Sequence, residues 1–459
     1  MGGLCDLQTL ILRSCKDLIE LPDNMGRLIN LSHLDIEGTK LSKMPQHIGK
    51  LTKLQNLSDF FLGKDIGSSI QELGKLQHLQ GVLNILNLQN VGTASDALQD
   101  NVKGMKHLKS LNLMWGGDPN DSGHVRHVLD KLESDVNMEY LFIYGYGGTR
   151  FSDWGLAVVG CEFYGSCTSV RKPFASLESL TLLKMPEWRE WISDQGMQAF
   201  PCLQKLCISG CPYLRKVLST HRLPSLTTLE IEGCRQLLTS FPRCPIIDEV
   251  KLDDGFGFRH LLLRRLPSSC LTELQLFDCA DLKSLPEHMN SLLPSLEDLR
   301  LFLLPKLEVF PEGGLPSKLK SLYIEDCSKL IAVRMQWSLQ SLPSLSKFTV
   351  GVDENVESFP EEMLLPLTLA SLEIWSLKTL KSLDYSGLQH LTSLEQLTIT
   401  DCPNLQSMLG EGLPSSLSSI EIWRCLLLDQ RCQQGRGEGW LKITRIPNLH
   451  INGYKIHQP

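Results

Sequence analysis

Leucines recur along this chain in a nine-residue pattern in which outward polar positions alternate with buried apolar ones. In the copy LQKLCISGC, residues 203–211, the apolar residues Leu206 and Ile208 flank a single outward position. Alternation with a period of two is typical of a β-strand that buries one face. Other clear copies begin at residues 7, 226, 271, 319, 394 and 417. The pattern therefore predicts a series of short strands.

The predicted strands follow one another at a nearly constant spacing. From Leu206 to Ile420 the central apolar position recurs every 21 to 26 residues, and weaker upstream copies bring the series to about 17 units with the period of leucine-rich repeats. The predicted centres are Leu10, Leu34, Leu57, Leu83, Leu111, Leu141, Leu180, Leu206, Leu229, Val250, Leu274, Leu299, Leu322, Phe348, Leu372, Leu397 and Ile420. The fold class is α/β: a leucine-rich-repeat solenoid, a horseshoe or open arc. We expect a parallel sheet on its concave face and short, mostly irregular or 3-10, returns on its convex face.

Seven cysteines occupy one position of the repeat, three residues after the second apolar residue of the strand. They are Cys15, Cys211, Cys234, Cys279, Cys327, Cys402 and Cys425. Stacked repeats would place them in one column, where small buried thiols can bond the backbone of the turn. Zinc would need four ligands that converge tetrahedrally, whereas a column spaces its thiols along a line. We therefore predict no metal site.

The repeat pattern weakens in three places, and these set the predicted domain limits. We expect a solenoid over residues 1–428, irregular at 114–137 and at 145–173, and a C-terminal cap over 429–459, where the leucine rhythm is lost. A solenoid needs terminal caps to cover its last hydrophobic layers. The first repeat begins at Leu4 with no capping segment before it. We therefore expect the chain to be either a piece of a longer protein or the product of a truncated gene model, without an N-terminal cap of its own.

Composition and motifs exclude several classes of function. The net charge of −7 and the pI near 6.0 do not favour nucleic acid as a partner, and no apolar run is long enough for a membrane span. The chain lacks GxxxxGK[ST], GxSxG and HExxH, which would mark a phosphate-binding loop, a nucleophilic serine or a zinc protease. We expect no enzyme activity, no catalytic residue and no cofactor bound by this chain.

The outward positions of the predicted strands are selectively acidic. In the nine units centred from Leu229 to Ile420, these positions hold sixteen acidic and only five basic residues, with large aromatic residues among them. Exposed aromatics amid charge are typical of protein interfaces, so we predict that a basic protein surface binds this concave face. The predicted partner-binding residues are Glu230, Glu232, Phe277, Asp278, Arg300, Phe302, Tyr323, Glu325, Asp326, Glu373, Trp375, Asp401, Glu421 and Trp423. Four of the aromatic residues, Tyr323 excepted, are expected to share one column.

Several segments resemble the leucine-rich-repeat region of plant NLR (nucleotide-binding, leucine-rich-repeat) disease-resistance proteins of the coiled-coil class. They are the cysteine-bearing repeats, residues 10–64, LQGVLNILNLQNV (79–91), GTRFSDW (148–154) and residues 185–212. The resemblance covers essentially the whole chain. Family members usually carry further repeats after the GTRFSDW-like segment, whereas here Trp154 runs directly into GLAVVGCEFYG. A repeat is therefore expected to be missing at this point.

The resemblance implies an intracellular immune receptor, located in the cytoplasm with the nucleus as a second compartment. In that family the repeats sense a pathogen effector or a modified host protein and hold an adjacent nucleotide-binding domain off. ATP or ADP is then expected only on that domain, which this chain lacks. Two alternatives remain open. The chain could be the substrate-recruiting repeat domain of a ubiquitin ligase, or the ectodomain of a cell-surface receptor.

Overall fold

Within each of two compact units the described strands stack mostly in parallel. The computed structural model describes residues 6–64, 69–91, 107–116, 138–147, 174–191, 200–217, 223–237, 244–253, 270–311, 313–406, 413–428 and 446–456. The units are Met1–Ile247 and Asp248–Pro459. Each consists mainly of short strands whose side chains alternate between a buried and an open face.

The described residues of the first unit form twelve strands. They are β1 (Thr9–Ile11), β2 (His33–Asp35), β3 (Asn56–Leu57), β4 (Asp59–Phe61), β5 (Gln80–Leu86), β6 (His107–Met114), β7 (Tyr140–Tyr144), β8 (Ser179–Leu183), β9 (Glu190–Trp191), β10 (Lys205–Ser209), β11 (Lys216–Val217) and β12 (Thr228–Glu232). Strands β1, β2 and β3 form one parallel sheet. Strands β4 to β8, β10 and β12 pair in parallel in chain order, and β9 pairs with β11 in a return. Between β3 and β4, the Ser58 hydroxyl accepts the Ile36 N–H at 2.9 Å.

Twelve strands also lie in the part of the second unit that the structure describes. They are β13 (Glu249–Asp253), β14 (Glu273–Phe277), β15 (Asp298–Phe302), β16 (Ser321–Glu325), β17 (Lys347–Asp353), β18 (Ser358–Phe359), β19 (Ser371–Leu377), β20 (Ser382–Leu383), β21 (Gln396–Thr400), β22 (Ser419–Trp423), β23 (Asn448–Ile451) and β24 (Tyr454–Lys455). Strands β13 to β17, β19 and β21 to β23 form one parallel ladder. Strands β18 and β20 pair in the returns, and β24 pairs antiparallel with β23.

The returns hold only short helices, as the repeat length predicts. The α-helices are α1 (Ile70–Gly74), α2 (Met289–Leu292), α3 (Ser328–Ala332) and α4 (Tyr385–His390), and 3-10 turns cover Asp23–Arg27, Ile48–Lys50, Leu88–Asn90, Arg334–Gln336 and Leu339–Ser341. Helix α4 has an N-cap, because the Asp384 carboxylate accepts the N–H groups of Ser386 and Gly387. With little helix to cover it, the core consists mainly of strand and return leucines.

All 17 predicted centres lie in strands, and the fold class is confirmed. From Leu34 to Ile420 each of these centres is at most 2% exposed. Leu10, in β1, is only half-buried. Among the described residues no strand pairs with the outer edge of β1, and this is why Leu10 has fewer neighbours.

Six of the seven repeat cysteines are buried, and their thiols bond the turn as predicted. Each donates to the carbonyl two residues earlier, as Cys327 does to Glu325 at 3.3 Å and Cys425 to Trp423 at 3.5 Å. Cys327 also lies 3.7 Å from the Leu301 carbonyl of the preceding repeat. The prediction was wrong for Cys15, which is exposed because it follows the edge strand β1. The thiol column therefore begins further along the chain.

The segments predicted as irregular lie mostly outside the described residues, which omit 117–137 and 148–173, including the region after Trp154. Met114 is the last residue of β6 rather than part of a loop. Within the segment predicted as a cap, β23 adds a parallel strand in register with β22, with Ile420 opposite Leu449, and β24 folds back on it. The open edge of β22 is thus covered by chain from that segment.

Candidate functional site

The open face of the second unit carries twelve of the fourteen predicted partner-binding residues. The other two, Glu230 and Glu232, lie on β12 in the first unit. None of the fourteen is buried. They therefore lie on the solvent side of the strands, as the alternation of the sequence predicts.

In the first unit, the two acidic residues are engaged by the neighbouring strand β10. Lys205 forms an ion pair with Glu230 at 3.1 Å, and the Ser209 hydroxyl donates to Glu232 at 3.0 Å. Between them, burial and the nearby Glu230 carboxylate raise the pKa of the Cys207 thiol to about 11. Both carboxylates on this part of the surface are therefore already bound by side chains of β10.

In the second unit, register places four aromatic residues in one column at the end of the strands. Phe277 lies opposite Phe302, Trp375 lies two strands further than Glu325, and Trp423 lies two strands beyond Trp375. Phe277 and Trp423 remain 36% and 38% exposed. Large apolar side chains this open are candidates for contact with another molecule.

Tyr323 belongs to the adjacent column but packs against this one. Its ring lies 4.6 Å from that of Phe302, and Phe302 lies 6.0 Å from Phe277, so three rings contact across β14, β15 and β16. The Tyr323 hydroxyl donates to Glu325 at 2.9 Å. Burial and this hydrogen bond both raise the pKa of Tyr323, and burial raises the pKa of Glu325.

Trp375 does not stand free on the surface. Its indole lies over Gly351 of the neighbouring strand, so closely that a Cβ at residue 351 would be 2.3 Å from Nε1. The indole therefore leans from β19 towards β16 and Glu325. Sequence reasoning missed Gly351, although this glycine stands at the outward position between Glu325 and Trp375 in the aligned repeats.

Three predicted acidic residues lie in turns rather than on strands. Asp278, Asp326 and Asp401 each follow the last strand residue and have φ between 48° and 54°. Each donates its backbone N–H to a carbonyl of the next strand, as Asp326 does to Gly351 at 3.2 Å. Aspartate is one of the few residues that tolerate this left-handed conformation. Backbone geometry therefore explains part of the acidic pattern that the sequence assigns to binding.

Most basic side chains on the second unit's face are paired locally. Arg300 bonds Asp298 at 2.9 Å, and Lys320 bonds Glu297 at 2.7 Å. Lys378, which sequence reasoning missed because it follows β19, bonds Asp401 at 2.8 Å and lowers the pKa of that carboxyl.

Several carboxylates on this face keep their charge uncompensated. Among the described residues, Glu325, Asp326, Glu373, Glu421 and Asp278 form no ion pair; Glu373 accepts a hydrogen bond from Thr349 at 3.3 Å. The face of the second unit is acidic after its internal pairs are counted.

No group of three or more His, Cys, Asp or Glu side chains in the described residues is arranged to hold a metal ion. None of the helices in the same residues combines the length and apolarity needed to cross a membrane.

The comparisons with known proteins agree with the repeat geometry. A family of leucine-rich repeats described as R13L1/DRL21 LRRs matches residues 70–188. The chain is also 32% identical to a putative disease resistance RPP13-like protein 1 of Arabidopsis thaliana, over 55% of this chain and 30% of that protein. The repeats of this chain are therefore similar to those of plant disease-resistance proteins. The chain is 29% identical to the putative disease resistance protein RGA4 of Solanum bulbocastanum, over 97% of this chain and 42% of RGA4.

The chain spans 30% to 42% of the length of these two relatives. Among solved structures it is similar to TLR13 in a TLR13–ssRNA13 complex, with 17% identity and a TM-score of 0.42 over 99% of this chain and 76% of that one. A likeness at this level adds nothing to the strand pairing described above.

Proposed function

We propose that this chain is the protein-recognition and autoinhibitory module of an intracellular plant immune receptor. It senses a pathogen effector or a modified host protein and holds an attached nucleotide-binding domain off. The disease-resistance relatives support the class of receptor. The module itself performs no chemistry and works in the cytoplasm, with the nucleus as a second compartment.

The observation that carries this proposal is the open strand face of the second unit. Its aromatic residues include Phe277 and Trp423, which are more than a third exposed although strand neighbours pack on either side. Exposed aromatic side chains are common anchors of protein interfaces, and exposed apolar patches mark interaction sites. The face suits a protein partner with basic charge.

The experiment is charge reversal on this face. The chain is first used to find partners among secreted pathogen proteins and host defence proteins, and binding is then measured with Glu325, Asp326, Glu373 and Glu421 all changed to Lys. We expect binding to be lost, because an acidic surface that attracts the partner becomes basic. In the unmodified chain, association should slow as salt rises.

The matched control reverses four exposed acidic residues of the second unit's returns, Glu287, Glu354, Glu357 and Glu362. It changes the net charge equally and should leave binding intact. Partner binding and salt dependence that are the same in the face variant and the unmodified chain would exclude this face.

The reading frame upstream of Met1 tests the autoinhibitory part. A GxxxxGK[ST] motif there supports the attached nucleotide-binding switch, since its backbone N–H groups and Lys hold the phosphates. An F-box helix pair at that place would instead favour recruitment of substrates to a ubiquitin ligase.

A further inference from the structure

An aromatic strip spans five neighbouring repeats of the second unit, from β14 to β19, with one carboxylate in its middle. We define it as Phe277, Phe302, Tyr323, Glu325 and Trp375. The three rings on β14 to β16 contact one another, and the indole of Trp375 leans over Gly351 from the other side. Glu325 therefore lies between two aromatic groups rather than in open solvent.

The Glu325 carboxylate is partly desolvated, but part of its hydrogen-bonding capacity is unused. Oε2 accepts from the Tyr323 hydroxyl at 2.9 Å, and no ion pair to either oxygen is formed by the described residues. Asp326 follows directly, also without an ion pair in that part of the chain. A half-buried carboxylate without a cation gains more from an incoming positive group than an exposed one does.

Two cations near this place are already paired. Arg300, on the adjacent strand, bonds Asp298 of its own strand through Nε and a terminal nitrogen. Lys320 is held by Glu297. Because no described cation forms an ion pair with Glu325, a positive group of another molecule can complement this carboxylate.

We propose that the aromatic strip binds an arginine side chain of the partner protein. The guanidinium stacks on the Phe302–Tyr323 rings and donates to the Glu325 and Asp326 carboxylates. Guanidinium is planar, weakly hydrated and able to donate several parallel hydrogen bonds, so it suits flat rings beside a carboxylate better than the compact ammonium of lysine. This inference rests on the proposed function, because it names the residue by which the partner is held.

The test uses the whole chain and random 12-residue peptides displayed on phage, selected on this protein and counted by sequencing. Peptides that bind should be enriched in arginine over lysine. For a selected peptide made synthetically, Glu325→Gln should weaken binding about tenfold, since it removes the charge but keeps an acceptor for Tyr323. Replacing the peptide arginine by lysine or by neutral citrulline should weaken it to a similar degree.

The matched control is Glu273→Gln. It removes one charge from an exposed residue at the start of β14 and should change peptide affinity less than twofold. Melting temperature is measured for both variants to show that each is folded.

Three results would overturn the inference: selected peptides without arginine enrichment, equal binding to lysine peptides, or equal affinity of Glu325→Gln and the unmodified chain. Failure to select any binding peptide would overturn it as well. The proposed function would still stand after any of these results if the variant with Glu325, Asp326, Glu373 and Glu421 all changed to Lys no longer bound a whole partner protein. It would fall only if that reversal had no effect.

Discussion

At the scale of single residues, the conformation at the strand ends limits which side chains the repeat accepts. Gly210 and Gly233 follow β10 and β12 with φ of 66° and 61°, and Leu303 and Arg424 take the same place in the second unit with φ of 52°. In residues other than Gly, Asn and Asp, this left-handed conformation costs roughly 1–2 kcal/mol of conformational free energy. The backbone N–H of this residue is held by the next strand, as when Gly210 donates to Glu232 at 2.9 Å.

Gly233 offers a direct measure of this cost. A Cβ there would meet its nearest atoms at 3.5 Å, which is an ordinary contact. Gly233→Ala should therefore destabilise the protein by about 1 kcal/mol through φ alone, measured by urea denaturation. Gly233→Asn should cost less, because asparagine tolerates the left-handed region. An equal loss in both variants would mean that space rather than φ decides.

Two further substitutions distinguish the buried face of the strands from their open face. Leu322 is 1% exposed, so Leu322→Ala should cost about 2 to 5 kcal/mol through a cavity. Trp375 is only partly buried, so Trp375→Ala should cost less stability while weakening partner binding. Urea denaturation measures the first effect and binding the second. Equal stability losses would contradict the assigned faces.

At the scale of elements, the cysteine column joins each strand to the turn that follows it. A thiol is small enough to be buried in the turn that follows each strand. It donates weakly to the strand carbonyl, so this acceptor is satisfied without the desolvation cost of a stronger polar group. Burial raises the pKa of Cys327 to about 12 and that of Cys244, in the first unit, to about 12. Both groups are therefore inert thiols in the folded protein.

Alkylation tests this assignment. With iodoacetamide at pH 8, the exposed Cys15, Cys202 and Cys270 should react, while Cys327 and Cys244 should react only after unfolding. Mass spectrometry of the labelled peptides identifies the thiols that react. Rapid labelling of Cys327 in the native protein would contradict the buried column.

The same two thiols make stability depend on pH. Because their folded pKa lies above the ordinary value of 9.0, their contribution to stability is complete below about pH 9 and is lost as pH rises towards 12.

Much of the fold could be predicted from the sequence, because the 24-residue period and the period of two within each strand both follow from burial of leucine. The candidate face could be predicted for the same reason, since outward positions are defined by their buried neighbours. Three features could not. The exposure of Cys15 depends on what lies beside β1, the pairing of Lys378 with Asp401 depends on side-chain reach, and the place of the Trp375 indole depends on the empty space above Gly351.

At the scale of the whole molecule, each repeat is stabilised mainly by the repeats on either side of it. Within the parallel ladder of the second unit, the described strands pair with their immediate neighbours, as β16 does with β15 and β17. In such an array stability is close to a sum of repeat and nearest-neighbour terms. Destabilisation of one repeat should then affect its neighbours but not distant repeats. One region of the binding face can therefore unfold locally while another stays folded.

Hydrogen exchange can detect this locality. In Leu322→Ala, amides of β15, β16 and β17 should lose the most protection, and the loss should decline towards β21 and β22, because each interface transmits only part of the destabilisation. Ile420→Ala, at a centre that is 0% exposed in β22, serves as the matched control and should affect β21 to β23 while sparing β14 and β15. A uniform loss of protection from β13 to β23 in both variants would instead show that the second unit opens as one cooperative body.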